Sequence, residues 1–178
     1  MKINQKIKKV AFIGMGLINS SLARDLKIKK FYLSSSAYSR RLSTIKKIKK
    51  LKLVDFASGN IEKIIKEADI IIVGIPVAAY QEVFKKICNH IKPGVIITDV
   101  GSVKKEVINS VKNYIPKNVD FVPGHPIAGT ENSGPEFSVP AIGCPGTKST
   151  FFGIYFFTEF ITSFFTDPTS VIITPCLI

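Results

Sequence analysis

The chain has 178 residues, of which 46% are hydrophobic and 21% are charged, proportions that suit one globular domain or one domain with part of a second. No apolar run reaches the roughly 18 residues of a transmembrane helix, and the apolar stretch after the lysine-rich N-terminus is soon broken by Gly14 and Gly16, so neither a membrane partner nor a secretory signal is expected. The three cysteines are far apart, which favours neither a disulfide framework nor a metal site. We therefore predict a cytoplasmic protein.

The formal net charge of +12 raises the possibility of nucleic-acid binding, because a basic face attracts phosphate. Fifteen of the 25 basic residues precede Val54, where Asp25 is the only acid, and the densest run, Lys46 to Lys52, lies along a predicted amphipathic helix. That run has no interleaved aromatic residues on which bases could stack. A solvent-exposed helix face is the favoured interpretation, and no nucleic-acid partner is predicted.

The first predicted strand, residues 9–14, is followed by an apolar pattern of helical spacing that begins at residue 17. The turn between them has two of the three glycines of a dinucleotide-binding G-x-G-x-x-G motif: Gly14 allows a tight turn, and Gly16 leaves room for a pyrophosphate at the helix N-terminus. Leu17 and Ile18 are predicted to bind the cofactor with them. Asn19 replaces the third glycine and should either displace the helix slightly or turn its side chain towards the phosphates. Taken alone, the incomplete motif is equally compatible with a plain tight turn.

A second strand is predicted over residues 31–38, and Ser39, Arg40 and Arg41 follow it, where an NAD-specific fold usually carries an acid. No carboxylate stands there to bind a ribose 2′-hydroxyl, whereas a hydroxyl and two guanidinium groups suit a 2′-phosphate. The three residues therefore favour NADP over NAD. The alternative, that the two arginines only begin the lysine-rich helix that follows, stays open.

Strands and helices continue to alternate along the rest of the chain, which predicts an α/β fold: a doubly wound, mostly parallel Rossmann-type sheet with helices on both faces. A near-continuous apolar run that ends at Pro76 predicts a central strand, and Pro76 is expected to adjoin the cofactor. The remaining predicted helices cover residues 42–50, 61–66, 77–91 and 103–115, and the remaining predicted strands cover 54–57, 95–100 and 119–122.

Two further side chains follow strands of this predicted sheet. Ser102 could cap the helix at its start or face a ligand. His125, one of only two histidines, stands between a glycine and a proline, and an imidazole held in a stiff turn is a candidate general base. Because carboxyl ends of parallel strands share one edge, where ligands bind in open α/β sheets, Ser102 and His125 are expected beside the glycine turn.

Three motifs together resemble the prephenate dehydrogenase family, which includes arogenate and cyclohexadienyl dehydrogenases of tyrosine biosynthesis. The resemblance covers about residues 9–136, and its third motif is quite specific. The motifs are Gly14-Met15-Gly16-Leu17-Ile18 with Ser21-Leu22-Ala23, Asp99-Val100-Gly101-Ser102-Val103-Lys104, and Gly124-His125-Pro126-Ile127-Ala128-Gly129-Thr130-Glu131 with Ser133-Gly134-Pro135.

The resemblance implies an NAD(P)-dependent oxidative decarboxylation of prephenate or arogenate. Hydride leaves the ring carbon that bears the hydroxyl, the ring carboxylate leaves as carbon dioxide, and the ring becomes aromatic. His125 would accept the proton of that hydroxyl and Ser102 would help to hold it, while Gly129, Thr130 and Glu131 would surround the substrate. A β-hydroxyacid dehydrogenase, which shares the cofactor fold, is disfavoured by residues 124–131.

Residues 1–137 are predicted to form the NAD(P)-binding domain, and residues 138–178 do not resemble the helical dimerisation domain with which the family continues. Residues 139–178 hold only three charged side chains, seven of the 13 phenylalanines and four prolines, and the chain has no arginine after Arg41. This composition favours an aberrant tail, such as a frameshifted remnant of the helical domain, over a membrane-surface helix at residues 151–165, which would have apolar residues on every side. The family is homodimeric, so a chain without that domain could instead be a non-catalytic NADP-binding module or a degraded gene product.

Overall fold

The computed structural model describes residues 7–124, and the structural statements below refer to that range. Six strands alternate with five helices, and two 3-10 turns, Val77–Ala79 and Cys88–His90, flank the fourth helix. The elements are β1 (Ile7–Ile13), α1 (Leu17–Ile28), β2 (Tyr32–Tyr38), α2 (Leu42–Lys50), β3 (Phe56–Ser58), α3 (Ile61–Ile65), β4 (Ile70–Val73), α4 (Tyr80–Ile87), β5 (Ile96–Asp99), α5 (Lys104–Val111) and β6 (Asp120–Val122).

The six strands form one sheet in the order β3-β2-β1-β4-β5-β6, and each neighbouring pair is parallel. The chain builds outwards from β1 to β3 and then returns to place β4 on the other side of β1. This reversal is the topological switch point at which doubly wound sheets bind their ligands. The predicted α/β fold class is therefore confirmed.

The centre of the sheet is covered on both faces, which explains its continuous apolar sequence. Every residue of β4 is buried, as are the last four residues of β1. Alternate residues of β1, β4 and β5 join a hydrophobic cluster with α3, α4 and α5 on one face. Within it, Phe84 stacks on Tyr80 with ring centroids 6.2 Å apart and meets Phe121 edge-on at 6.0 Å.

Several predicted element ends were wrong by a few residues. The strand predicted over residues 54–57 is Phe56–Ser58. Just before it, the Asp55 amide donates to the Ser35 carbonyl at 3.2 Å, and the Asp55 carboxylate accepts from the amide and hydroxyl of Ser35 at 2.8 and 2.9 Å. The helix predicted over residues 103–115 is Lys104–Val111, and directly after it the Tyr114 amide donates to the Val111 carbonyl at 2.8 Å in a tighter turn.

The helix predicted over residues 77–91 is divided into three parts. It begins as the 3-10 turn after Pro76, continues as α4 and ends as the second 3-10 turn. No helix in the range 7–124 has the length and apolar character needed to span a membrane. The predicted domain boundary at residue 137 and the whole of residues 138–178 lie outside the described range.

Candidate active site

The turn after β1 brings three strand ends together. Gly14 has φ +85°, and its amide donates a hydrogen bond to the carbonyl of Tyr38 at the end of β2, at 3.0 Å. A Cβ on Gly14 would lie within 3.0 Å of the carbonyl oxygen of Gly74, which follows β4. Both the positive φ and this close approach require glycine, so Gly14 serves the structure of the turn.

Gly16, unlike Gly14, is not packed against another strand and borders open space. It is the N-cap residue of α1, no side chain caps this helix end, and a Cβ on Gly16 would meet no atom within 4 Å. A cleft of ≈ 270 Å³ lies here, lined by Gly16, Leu17, Ile18, Asn19, Gly74, Ile75 and Val100. Free amides at the start of a 12-residue helix attract an anion, so this cradle fits a pyrophosphate.

Asn19, which replaces the third glycine of the motif, corrects one expectation. Its side chain is buried, and its Nδ2 binds protein carbonyls, not a phosphate: it donates to the carbonyl of Gly14 at 2.7 Å and to that of Ile72 at 3.4 Å. A Cβ on Gly74 would lie within 3.0 Å of the Asn19 amide group. Gly74, on the facing strand end, therefore supplies the space that a third glycine would supply in the helix.

At the end of β2, Ser39 is buried and the two arginines are exposed. The Ser39 hydroxyl accepts a hydrogen bond from the amide of Arg41 at 3.3 Å, and Arg41 is the N-cap residue of α2. Tyr38, whose carbonyl accepts from the Gly14 amide, is the last residue of β2, and Arg40 and Arg41 follow it by two and three residues. Pro76 is exposed, and the cleft wall nearest to it is formed by Gly74 and Ile75.

Ser102 lies in the turn after β5 and is exposed. The N-cap residue of α5 is Val103, with no side-chain cap, so the prediction that Ser102 caps this helix was wrong: the helix begins one residue later than that role requires. The alternative, a hydroxyl that faces a ligand, stays a prediction.

Asp99, the last residue of β5, has a completely buried side chain and was given no role in the sequence analysis. Its Oδ2 accepts from the amide of Gly101 at 2.7 Å, from the Tyr80 hydroxyl at 3.4 Å and from the Lys104 ammonium; its Oδ1 accepts from the amide of Gly124 at 3.1 Å. Burial raises the pKa of Tyr80, and the Asp99 carboxylate raises it further, so Tyr80 stays a donor. A buried acid at the carboxyl end of a central strand is the signal that could have identified this residue.

Gly124 is the last residue of the described range, and it packs against the end of β5. A Cβ on it would lie within 3.0 Å of the Asp99 carbonyl oxygen. His125, Gly129, Thr130 and Glu131 lie outside the described residues, and their predicted roles stay predictions. Within residues 7–124, no group of three or more metal-binding side chains could hold a metal ion.

Comparison with known proteins identifies the family. The family model "Prephenate dehydrogenase, nucleotide-binding domain" matches residues 22–142. The chain belongs to the prephenate dehydrogenase family. It is 37% identical over 129 residues to the cyclohexadienyl dehydrogenase of Zymomonas mobilis, which covers 72% of this chain and 44% of that protein. It is 34% identical over 130 residues to the prephenate dehydrogenase of Lactococcus lactis, with coverage of 72% and 36%.

Solved structures of this family have the same fold. The arogenate dehydrogenase of Synechocystis is 32% identical, with a TM-score of 0.65 over 73% of this chain and 45% of that one. A prephenate dehydrogenase from A. aeolicus, in complex with hydroxyphenyl propionate and NAD+, is 26% identical, with a TM-score of 0.72 over 91% of this chain and 58% of that one. The family predicted from the three motifs is thus confirmed. The chain spans less than half the length of the curated relatives named above.

Proposed function

We propose that the chain acts in the NAD(P)-dependent oxidative decarboxylation of prephenate or arogenate, a cytoplasmic step of tyrosine biosynthesis. The observation that carries the proposal is that the turns after β1, β5 and β6, which lead into Gly16, Ser102 and His125, all leave the carboxyl edge of one parallel sheet in a member of this family. The reaction takes a small-molecule substrate and involves neither nucleic acid nor a membrane.

The cofactor would bind at the glycine turn. Gly16, Leu17 and Ile18 would hold the pyrophosphate through backbone amides at the start of α1, where the surroundings fit an anion. When bound, the nicotinamide cofactor supplies the hydride acceptor. Arg40 and Arg41, exposed at the end of β2, would bind a 2′-phosphate, which makes NADP the preferred form.

Side chains of this protein would bind the substrate hydroxyl and accept its proton. Loss of hydride builds positive character at the carbon that bears this hydroxyl, and a base that accepts its proton relieves that charge. The His125 imidazole, whose ordinary pKa is about 6.5, suits this role near neutral pH. Ser102 would hold the hydroxyl, and Gly129, Thr130 and Glu131 would surround the substrate.

The two histidines of the chain make a direct test of this role. His125→Ala should lower substrate-dependent NADPH formation by about 10²- to 10⁴-fold, the usual contribution of a general base, while NADP affinity stays the same. His90→Ala is the matched control, because that exposed ring lies 3.7 Å from a Glu62 carboxylate oxygen beyond α4 and has no part in the proposed reaction. Equal activity in the two variants would contradict the proposal.

Binding and turnover together separate the two candidate functions. Stoichiometric NADP binding with no NADPH formed from either substrate would favour the alternative, a non-catalytic NADP-binding module. Titration of the wild-type protein with NADP and then with each substrate measures both properties.

A further inference from the structure

One buried carboxylate joins two turns that belong to different strands. Asp99 accepts a hydrogen bond from the amide of Gly101, in the turn between β5 and α5, and another from the amide of Gly124, which follows β6. Ser102 is the residue after Gly101, and His125 is the residue after Gly124. In the sequence, Ser102 and His125 therefore each directly follow a glycine whose amide Asp99 binds.

Both glycines are needed for this close approach. A Cβ on Gly101 would lie within 3.0 Å of Asp99 Oδ2, and a Cβ on Gly124 would lie within 3.0 Å of the Asp99 carbonyl oxygen. The two turns consequently pack directly on the end of β5, with the carboxylate between their amides.

The charge of Asp99 is balanced in its buried position. The Lys104 ammonium, from the first turn of α5, pairs with Oδ2, and the Tyr80 hydroxyl, from α4, lies 3.4 Å from the same oxygen. Charge-assisted hydrogen bonds of this kind fix geometry, because a buried carboxylate that lost a partner would be strongly destabilised. The carboxylate is thus a rigid reference point for the two backbone amides.

We propose that Asp99 is a positioning residue that sets the separation of Ser102 and His125 through the amides of Gly101 and Gly124. It acts through those glycines and does not touch the substrate. This inference rests on the proposed roles of Ser102 and His125 in the reaction above.

The variant Asp99→Asn tests the inference. The asparagine keeps one acceptor oxygen and places an NH₂ group where the other oxygen was, so one of the two glycine amides loses its acceptor and meets a donor. With ¹⁵N-labelled histidine the protein gives two sets of imidazole signals. Asp99→Asn should shift the imidazole signals of His125 and leave the imidazole signals of His90 unchanged. We also expect kcat to fall by about 30-fold or more, with the Kd of NADP within about threefold of the wild-type value.

Asp69 offers a matched control at the opposite edge of the sheet. Its carboxylate also accepts two backbone amides, those of Lys8 and Lys9 at 2.8 and 3.0 Å, and pairs with Lys92 at 2.8 Å. Asp69→Asn should lower the Tm but leave kcat and the His125 signals at their wild-type values. If Asp69→Asn and Asp99→Asn changed kcat and the His125 signals equally, Asp99 would be merely structural and the inference would be overturned.

Two further readouts keep the test decisive. If the wild-type protein turned over neither substrate, the proposed function would fail. The positioning role would be judged separately, and unchanged His125 signals in Asp99→Asn would overturn it. If Asp99→Asn failed to fold, hydrogen exchange of the wild-type protein would replace it. The amides of Gly101 and Gly124 should exchange slowly, and exchange at the rate of an unfolded chain would overturn the inference.

Discussion

Gly14 and Gly16 lie two positions apart in the same turn, but their surroundings give them different roles, one in the fold and one in the proposed cofactor site. Gly14 has a positive φ and lies against the backbone of Gly74, whereas Gly16 has ordinary extended backbone and faces the open cleft. Any side chain at Gly14 would strain the fold, and any side chain at Gly16 would occupy the space proposed for the pyrophosphate.

Substitutions at these two glycines should therefore change different properties, cofactor affinity at Gly16 and stability at Gly14. Gly16→Val should lower NADP affinity by at least about tenfold and leave the Tm near the wild-type value, because the side chain meets only the ligand space. Gly14→Ala should lower the free energy of unfolding by roughly 2–5 kcal/mol, from its positive φ and its overlap with Gly74. Calorimetric titration and thermal denaturation measure the two quantities. Wild-type NADP affinity in Gly16→Val would place the cofactor elsewhere.

The exposed arginines at the end of β2 carry the prediction of cofactor preference. Replacing both, as Arg40→Ala with Arg41→Ala, should weaken NADP binding by roughly 10- to 100-fold through the loss of charge-assisted hydrogen bonds and leave NAD binding unchanged. Parallel titrations with the two cofactors measure this. Tighter binding of NAD than of NADP by the wild-type protein would show that the arginines only begin α2.

The role of a single residue was predicted correctly where one local constraint determines the residue type, as the tight turn does at Gly14. The expectation that the Asn19 side chain turns towards the phosphates was wrong, because buried carbonyls at the ends of β1 and β4 bind its amide group, and local sequence does not show that Gly74 faces it. Asp99 was missed for a similar reason. Its partners come from α4, α5 and the turns after β5 and β6, and only the tertiary fold brings these groups together.

At the scale of the elements, helix α1 contains one acid, Asp25, whose position destabilises its charged form. Asp25 is nine-tenths buried near the C-terminal end of the helix, and its Oδ2 accepts no hydrogen bond from the residues of the described range. Burial raises the pKa of Asp25, an effect that Lys29 partly offsets. A carboxylate near a helix C-terminus also opposes the helix dipole. The charged form therefore destabilises the folded state.

Asp25→Asn should consequently stabilise the protein at neutral pH. Since the folded-state pKa lies above the unfolded value of 3.8, the wild-type protein loses stability as the pH rises from that value through the raised pKa. The asparagine variant should lack this loss and gain about 1 kcal/mol in the free energy of unfolding at pH 7. Urea denaturation of both proteins over this pH range measures the difference. A less stable variant at pH 7 would mean that Asp25 is paired as an anion.

Element types were predictable from periodicity, but several element ends were not. The predicted span of α2 matches the structure because its apolar positions and flanking residues agree with a helix. The start of β3 was misplaced by two residues, and the chain is held there by contacts of the Asp55 carboxylate with the amide and hydroxyl of Ser35. Such contacts depend on a partner 20 residues away along the chain.

At the scale of the whole molecule, the sheet order follows from general rules. Right-handed crossovers between parallel strands and a buried apolar β4 leave few topologies open, and the doubly wound order is one of them. The fold then places the turns after β1, β4, β5 and β6 at one edge, which is why the motifs could be combined into one site. The roles of residues beyond 124 stay predictions.

The amounts of carbon dioxide and NADPH formed by the wild-type protein from prephenate or arogenate test the central claim most directly. Oxidative decarboxylation predicts equal amounts of the two products, both lost in His125→Ala and both retained in His90→Ala. NADPH formed without carbon dioxide, or equal product formation in both histidine variants, would contradict the account.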